Sequence, residues 1–210
     1  MLISPFSVSG IDWQRQLLDV SISRKQVESS PSIDFDKPVS RQHEAAFLDY
    51  YGYPYYWGGS MMWGISASPA IATPPPDAFE AQLQEDRKRQ EQADLHLRSD
   101  SQVTGYHIEA EDGMIGHVED FLFDPQTWAL RYFIVDTRNW LPGRHVLLST
   151  EWIDKVSWDK RIVRVPLSRE TIRNSPEWQE GAMLDQDEEH SLHRHYGKTL
   201  DAGLRGGQLR

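Results

Sequence analysis

Sliding the chain by 145 residues lays LISPFSVSGIDWQRQLLDVSISRKQVESSPS (2–32) over LLSTEWIDKVSWDKRIVRVPLSRETIRNSPE (147–177) without a gap. Trp13 falls on Trp158, Val20 on Val165, Ser23-Arg24 on Ser168-Arg169 and Ser30-Pro31 on Ser175-Pro176. Eight of the thirty-one positions are identical, and apolar pairs such as Val8 with Ile153, Ile11 with Val156 and Leu18 with Val163 fill in between. The same shift sets Tyr51-Gly52 on Tyr196-Gly197. An internal repeat commits both stretches to one kind of fold, so it reads as a duplication. The second copy also has a front half, residues 101–146, which the first copy lacks before Leu2. The apolar opening Leu2, Ile3, Phe6, Val8 is therefore expected to be strand from the middle of a domain. Unpaired strand edges invite pairing, and three resolutions are expected: an encoded start further upstream, strands borrowed from copy two or a second chain, or a loosely ordered 1–57. As it stands, the half-domain is expected to favour homodimers.

The complete copy reads as short strands. Tyr106–Glu109 is extended, and Glu111-Asp112-Gly113 carries the Asp-Gly signal of a hairpin turn. Ile115–Phe123 alternates, Asp124-Pro125 starts the next turn, and Trp128–Val135 is rich in aromatic and β-branched residues. Leu141-Pro142-Gly143 turns the chain again ahead of His145–Leu148, and Trp152–Trp158 and Arg161–Val165 supply two more strands. Turns every eight to twelve residues indicate a small sandwich or barrel. Trp128, Phe133, Val135, Val146, Leu148, Ile153 and Val165 are the expected core. Ser168 reads as the N-cap of a short helix over 169–174, stopped by Pro176. In copy one, Ser23 with Gln26 forms a capping box. A second helix is expected over 41–51, capped by Ser40 and ended by Gly52.

Between the copies lies other material. GISASPAIATPPP (64–76) is a Pro-rich, semi-extended linker, and DAFEAQLQEDRKRQEQADLHL (77–97) has the mixed charge of a solvated helix. The expected organisation is 1–57, a partial barrel with trailing helix and aromatic tail; 58–100, linker and charged helix; 101–177, a complete barrel; and 178–210, a polar, partly flexible tail. The net charge of −10 argues against a nucleic-acid binder, because phosphate contacts need clustered Lys and Arg. With no cysteine, thiolate metal sites, disulfides and cysteine nucleophiles are excluded together. No basic flank and apolar core of a signal peptide opens the chain. The longest uncharged run, 50–76, is broken by Gly and Pro well before it could span a membrane.

The stretch GYHIEAEDGMIGHVEDFLFDPQTWALRYFIVDTRNWLPGRHVLLS closely resembles the PRC-barrel family. The matching motifs are D-G-x-I-G-H-V (112–118), W-A-L-R-Y (128–132), V-D-T (135–137) and W-L-P-G-R (140–144). The likeness covers 101–177, and extends to 2–57, where DKPVSRQHEAAFLDYYGYPYYWGG is similar to the segment behind the first barrel in tandem-barrel bacterial members. That barrel is also the cytoplasmic domain of the photosynthetic reaction centre H subunit and the C-terminal domain of a ribosome-maturation factor. The resemblance implies a mainly β chain: small PRC-type barrels with short trailing helices, one complete and one partial. It implies roles in binding and assembly, with no catalytic residues and no cofactor. Asp112, Gly113, Gly116, Trp128, Asp136, Trp140, Pro142 and Gly143 are the family-motif positions, and a structural role is expected for them.

Candidate sites divide unevenly. His190, His193 and His195, behind Asp185, Asp187, Glu188 and Glu189, offer metal-ligand chemistry, but read better as a solvated tail with no apolar frame, so no metal is expected. Asp112, Glu119, Asp120 and Asp124 are acidic; the first and last sit at turns, and Glu119 and Asp120, adjacent on a strand, should point to opposite faces. YYGYPYYWGGSMMWG (50–64) has the aromatic and Met content of an interface. Tyr50, Tyr51, Tyr53, Tyr55, Tyr56, Trp57 and Trp63 are the candidate interaction surface, with packing inside the protein as the competing reading. The expected function is a non-enzymatic protein-interaction or assembly module that binds a protein partner of unknown identity. Its expected setting is cytoplasmic, docked on a membrane or photosynthetic electron-transfer complex, with any membrane association peripheral. The alternatives are a ribosome-maturation-type adaptor and a small-ligand-binding barrel.

Overall fold

The computed structural model describes residues 2–32, 39–57, 61–64, 66–69, 95–137, 144–179 and 181–200. Trp140, Pro142 and Gly143, most of the Pro-rich linker, the charged helix expected over 77–94 and the segment 201–210 lie outside the described residues. The described chain is mainly β and divides into two compact units, 1–99 and 100–210.

The second unit is one six-stranded sheet flanked by short helices. After α3 (Asp100–Val103) come β5 (His107–Ala110), β6 (Gly113–Phe123), β7 (Leu130–Asp136), β8 (His145–Ser149), β9 (Lys155–Ser157) and β10 (Ile162–Arg164), in the order β8-β7-β6-β5-β10-β9; strands β1 to β4 and helices α1 and α2 belong to the first unit. All pairs are antiparallel except β10 with β5, where Val163 lies opposite Ile108. Val118, Val135 and Val146 stand in one row across β6, β7 and β8 and are fully buried, as are Ile108, Leu148, Val163 and Val165. Such a filled interior packs like a crystal and leaves little room for strain. Gly116 shows how little. A Cβ added there would lie 2.1 Å from the Asp136 carbonyl oxygen, because β7 passes directly over it.

Five details depart from the sequence reading. Trp128 is half-buried rather than core: it takes a left-handed φ of 60° that closes the Asp124–Trp128 turn, which directs its ring against Phe123 at the surface. Ile153 packs at the core's edge, and the run 152–158 begins as a 3-10 turn (Thr150–Trp152) capped by Ser149, so only Lys155–Ser157 pairs as strand. Residues 95–97, expected at the end of the charged helix, form a strand. The register of β6 slips between Val118 and Asp120, so Glu119 is a bulge and does not alternate with Asp120 across a flat strand. Finally, 178–200 is no solvated tail. Helix α5 (Gln186–His195), capped by Asp185 and Glu188, packs Leu192 into the main core together with Trp178, Leu184 and Tyr196.

Helix α4 (Arg169–Arg173) starts at Ser168, whose Oγ accepts the Thr171 N–H. In the first unit, the 3-10 turn Pro5–Ser7 leads into the hairpin of β1 (Val8–Asp12) and β2 (Leu17–Val20), followed by α1 (Arg24–Glu28) with its Ser23/Gln26 capping box. Then β3 (Val39–Ser40) pairs with β4 (Leu95–Leu97), and α2 (Arg41–Tyr51) ends at Gly52.

The close approach at Gly116 yields a direct test. Gly116→Ala should cost about 3 kcal/mol or more, since the methyl group meets backbone rather than a movable side chain. Urea unfolding of the chain measures it, and a cost below about 1 kcal/mol would show that β6 and β7 can separate cheaply.

Candidate docking surface

The aromatic segment is largely consumed in building the first unit. Tyr51 stacks on Tyr53 (5.7 Å, 9°), and Tyr55 stacks on Trp57 (4.8 Å, 19°). Phe6 meets Tyr53 at 5.5 Å and Trp63 at 5.0 Å, and Trp63 also meets Tyr56. Three of the hydroxyls the rings bring along are paired, whereas that of Tyr51 is buried without a hydrogen-bond partner. Tyr53 Oη lies 2.7 Å from Ser7 Oγ, Tyr55 donates to Asp49 Oδ1 and Tyr56 donates to Glu44 Oε1. With Phe47 and Leu48 of α2 these rings form a core of their own. Tyr50 is the member that faces outward, its hydroxyl on the Gln26 carbonyl, and Met61 and Met62 are exposed nearby in sequence.

Among the described residues, apolar surface is open on the hairpin as well, where the sequence reading had singled out no site residues. Leu17 and Leu18 on β2 are about half exposed, and Trp13 and Ile3 are exposed as well. Adjacent strand residues point to opposite faces, so both faces of β2 carry an uncovered leucine. The signal that could have found this was the 145-residue shift, which sets Leu18 on Val163, a buried valine.

Among the described residues, the motif positions Asp112 and Gly113 lie at the turn between β5 and β6. Asp112 Oδ1 accepts the backbone N–H of Arg169, at the start of α4, and that hydrogen bond holds its carboxyl below the usual carboxylate range. Gly113, at φ 132°, brings the chain out of the turn. Asp124 Oδ1 accepts from the N–H groups of Gln126 and Thr127, an Asx turn. Asp136 is buried on β7 between His117 and His145.

The three C-terminal histidines are separated by their helix. His190 is exposed with Nδ1 on the Gln186 carbonyl, and His195 sets Nε2 on the Thr171 carbonyl. His193 is buried in a polar cluster under α5. There Glu189 Oε1 accepts from Arg131 Nη2 (2.8 Å) and from the Tyr132 hydroxyl (2.7 Å). Tyr132 has spent its one proton on Glu189, so at 2.8 Å it accepts from His193 Nε2–H, an assignment made from the network. Burial and then the Glu189 carboxylate raise the Tyr132 pKa, and burial pushes that of His193 down.

Folding thus holds His193 neutral at pH values where the unfolded chain's histidine, with its ordinary value of 6.5, takes up a proton. The unfolded state then binds more protons, so this contribution is complete above about pH 6.5 and is lost as pH falls towards the lower folded value. Thermal melts between pH 7.5 and 5 should show declining stability below 6.5, and His193→Gln should flatten that slope. An unchanged slope in the variant would remove His193 from the account.

Residues 98–172 match the family model of the PRC-barrel domain, so such a domain is present in the second unit. No curated protein matches the chain.

Proposed function

We propose, from the PRC-barrel domain at 98–172, that the chain is a non-enzymatic assembly module made of two related units in tandem. The second unit is the complete barrel domain, and the first is the back half of the same fold, open for docking. Element by element, the 145-residue shift supports this: Pro5–Ser7 falls on the turn Thr150–Trp152, α1 on α4, and the start of α2 on the start of α5. Gln16 and Arg161 share a left-handed φ of 54°, and Glu44 and Glu189 are both buried.

One observation carries the reading. Leu18 is 46% exposed, whereas Val163, its counterpart, is 1% exposed. Val163 lies in the second unit's core, on a strand whose other edge pairs in parallel with β5. Among the described residues no strand plays that part for β2, whose one partner is β1. The fitting partner is a protein that lends β2 a strand with an apolar face, as in β-strand addition. A second copy of this chain is one source of such a strand. The resemblance to the reaction centre H subunit's barrel favours a membrane or electron-transfer complex as host, with the module on the cytoplasmic side. No helix among the described residues is long and apolar enough to cross a membrane. Two features weigh against the alternatives. The net negative charge disfavours direct contact with ribosomal RNA. The side chains filling the second unit's interior disfavour a ligand lumen.

Affinity capture from the native host, paired with sedimentation of the purified chain, tests the reading. Leu18→Asp should abolish the captured complex or the self-association while leaving the second unit's melting transition in place. Retention of the same partner by the variant would overturn it.

A further inference from the structure

In the second unit, the pairing of β10 with β5 matches charge as well as core. Val163 lies opposite Ile108, and the next residue, Arg164, lies opposite Glu109. Arg164 Nε sits 2.9 Å from Glu109 Oε2, an ion pair across the two parallel strands. On the other side of β10, Lys155 of β9 lies opposite Arg164. Two cations and Glu109 thus stand in one row.

The 145-residue shift sets Asp19 on Arg164 and Gly10 on Lys155, so the first unit carries the same row with its charge reversed. Gly10 and Asp19 lie opposite each other on β1 and β2, as Lys155 and Arg164 do on β9 and β10. Asp19 is exposed, and among the described residues no cation pairs with it. The apolar row keeps its chemistry, with Ile11 and Leu18 where Val156 and Val163 stand. The backbone is matched too. His107 N–H donates to the Arg161 carbonyl, and Val165 N–H donates to the Glu109 carbonyl. Their counterparts at β2 are the Gln16 carbonyl and the Val20 N–H, and Gln16 repeats the φ of Arg161.

We propose that β2 takes up, in parallel, a strand of a partner protein that sets an aliphatic side chain beside Leu18 and a lysine or arginine beside Asp19. The selection rests on the docking edge proposed above and adds which strand that edge accepts. Backbone hydrogen bonds give affinity for any extended segment, and side chains choose among segments. Opposite charges across a strand pair are favourable and like charges unfavourable. The Asp19 carboxylate therefore rejects the chain's own β5 sequence, in which Glu109 would face it. A second copy offering that strand is not the occupant.

Two synthetic peptides, titrated into the full chain and followed by NMR chemical shifts, test the selection. One is TGYHIEA, the sequence of residues 104–110, and the other is its Glu109→Lys form. The lysine form should bind about fivefold more tightly, with shifts centred on residues 16–20, and salt should shrink its advantage. Asp19→Lys in the chain should reverse the preference, and Leu18→Asp should abolish binding of both peptides. Asp19 is exposed, and the two peptides on the unaltered chain decide the matter if that variant fails to fold. Equal binding of the two, lost in Leu18→Asp, would overturn the charge selection and leave the docking edge standing. Binding of neither peptide, or binding that survives Leu18→Asp, would overturn both. A dimer in sedimentation that Leu18→Asp dissolves would also overturn the proposal, because it places a second copy on that edge.

Discussion

The strand Gly113–Phe123 is hydrogen-bonded along both edges, to β5 on one side and β7 on the other. Its eleven residues are long enough to reach past both neighbours, so the register of four strands is referred to it. At Gly116 the approach of β7 is so close that no side chain fits, which fixes how near the two paired strands lie. Below that point the strand carries Val118 into the core. Just beyond it, the bulge at Glu119 changes which face the following residues serve, and Phe121 comes to pack edge-on against Phe133. Packing and turn thus share one strand.

The buried cluster beneath α5 solves a different problem. The helix QDEEHSLHRH is polar almost throughout, with Leu192 as its one large aliphatic. Apolar burial alone would hold it weakly. Glu189 supplies the missing attachment, because its carboxylate satisfies both the Arg131 guanidinium and the Tyr132 hydroxyl inside the interface. Removing one partner of such a buried pair costs more than the pair contributes, since the other charge is stranded. The attachment is therefore specific rather than merely adhesive.

Much of this was legible in the residues. Ser168 and Ser23 announced their helices, Asp124-Pro125 its turn, and the valines at 135, 146 and 165 their core positions. What escaped did so for physical reasons. Trp128 looked like core by type, but its backbone turns left-handed, which propensity cannot register. Glu119 was assigned by strict alternation, and alternation fails at a bulge. Helix α5 looked solvated because hydropathy counts Glu189 and His193 as surface residues, and only their three-dimensional partners make burial tolerable. The aromatic run at 50–64 was read as a candidate interaction surface, with packing inside the protein as the competing reading, since rings serve both. In the fold, Phe6 packs against Tyr53 and Trp63, and Phe47 against Tyr51.

The parallel pairing of β10 with β5 bears on how the second unit reaches its fold. The neighbours β5–β6, β6–β7, β7–β8 and β9–β10 are consecutive in the chain and can zip as local hairpins. By contrast, Arg164 and Glu109, whose side chains meet across the parallel pair, are 55 residues apart. Closing that span demands loop entropy before any contact rewards it. Sealing the sheet should therefore come last, and it should set the folding rate. Until it happens, β5 and β10 each present an open edge to whatever strand arrives first.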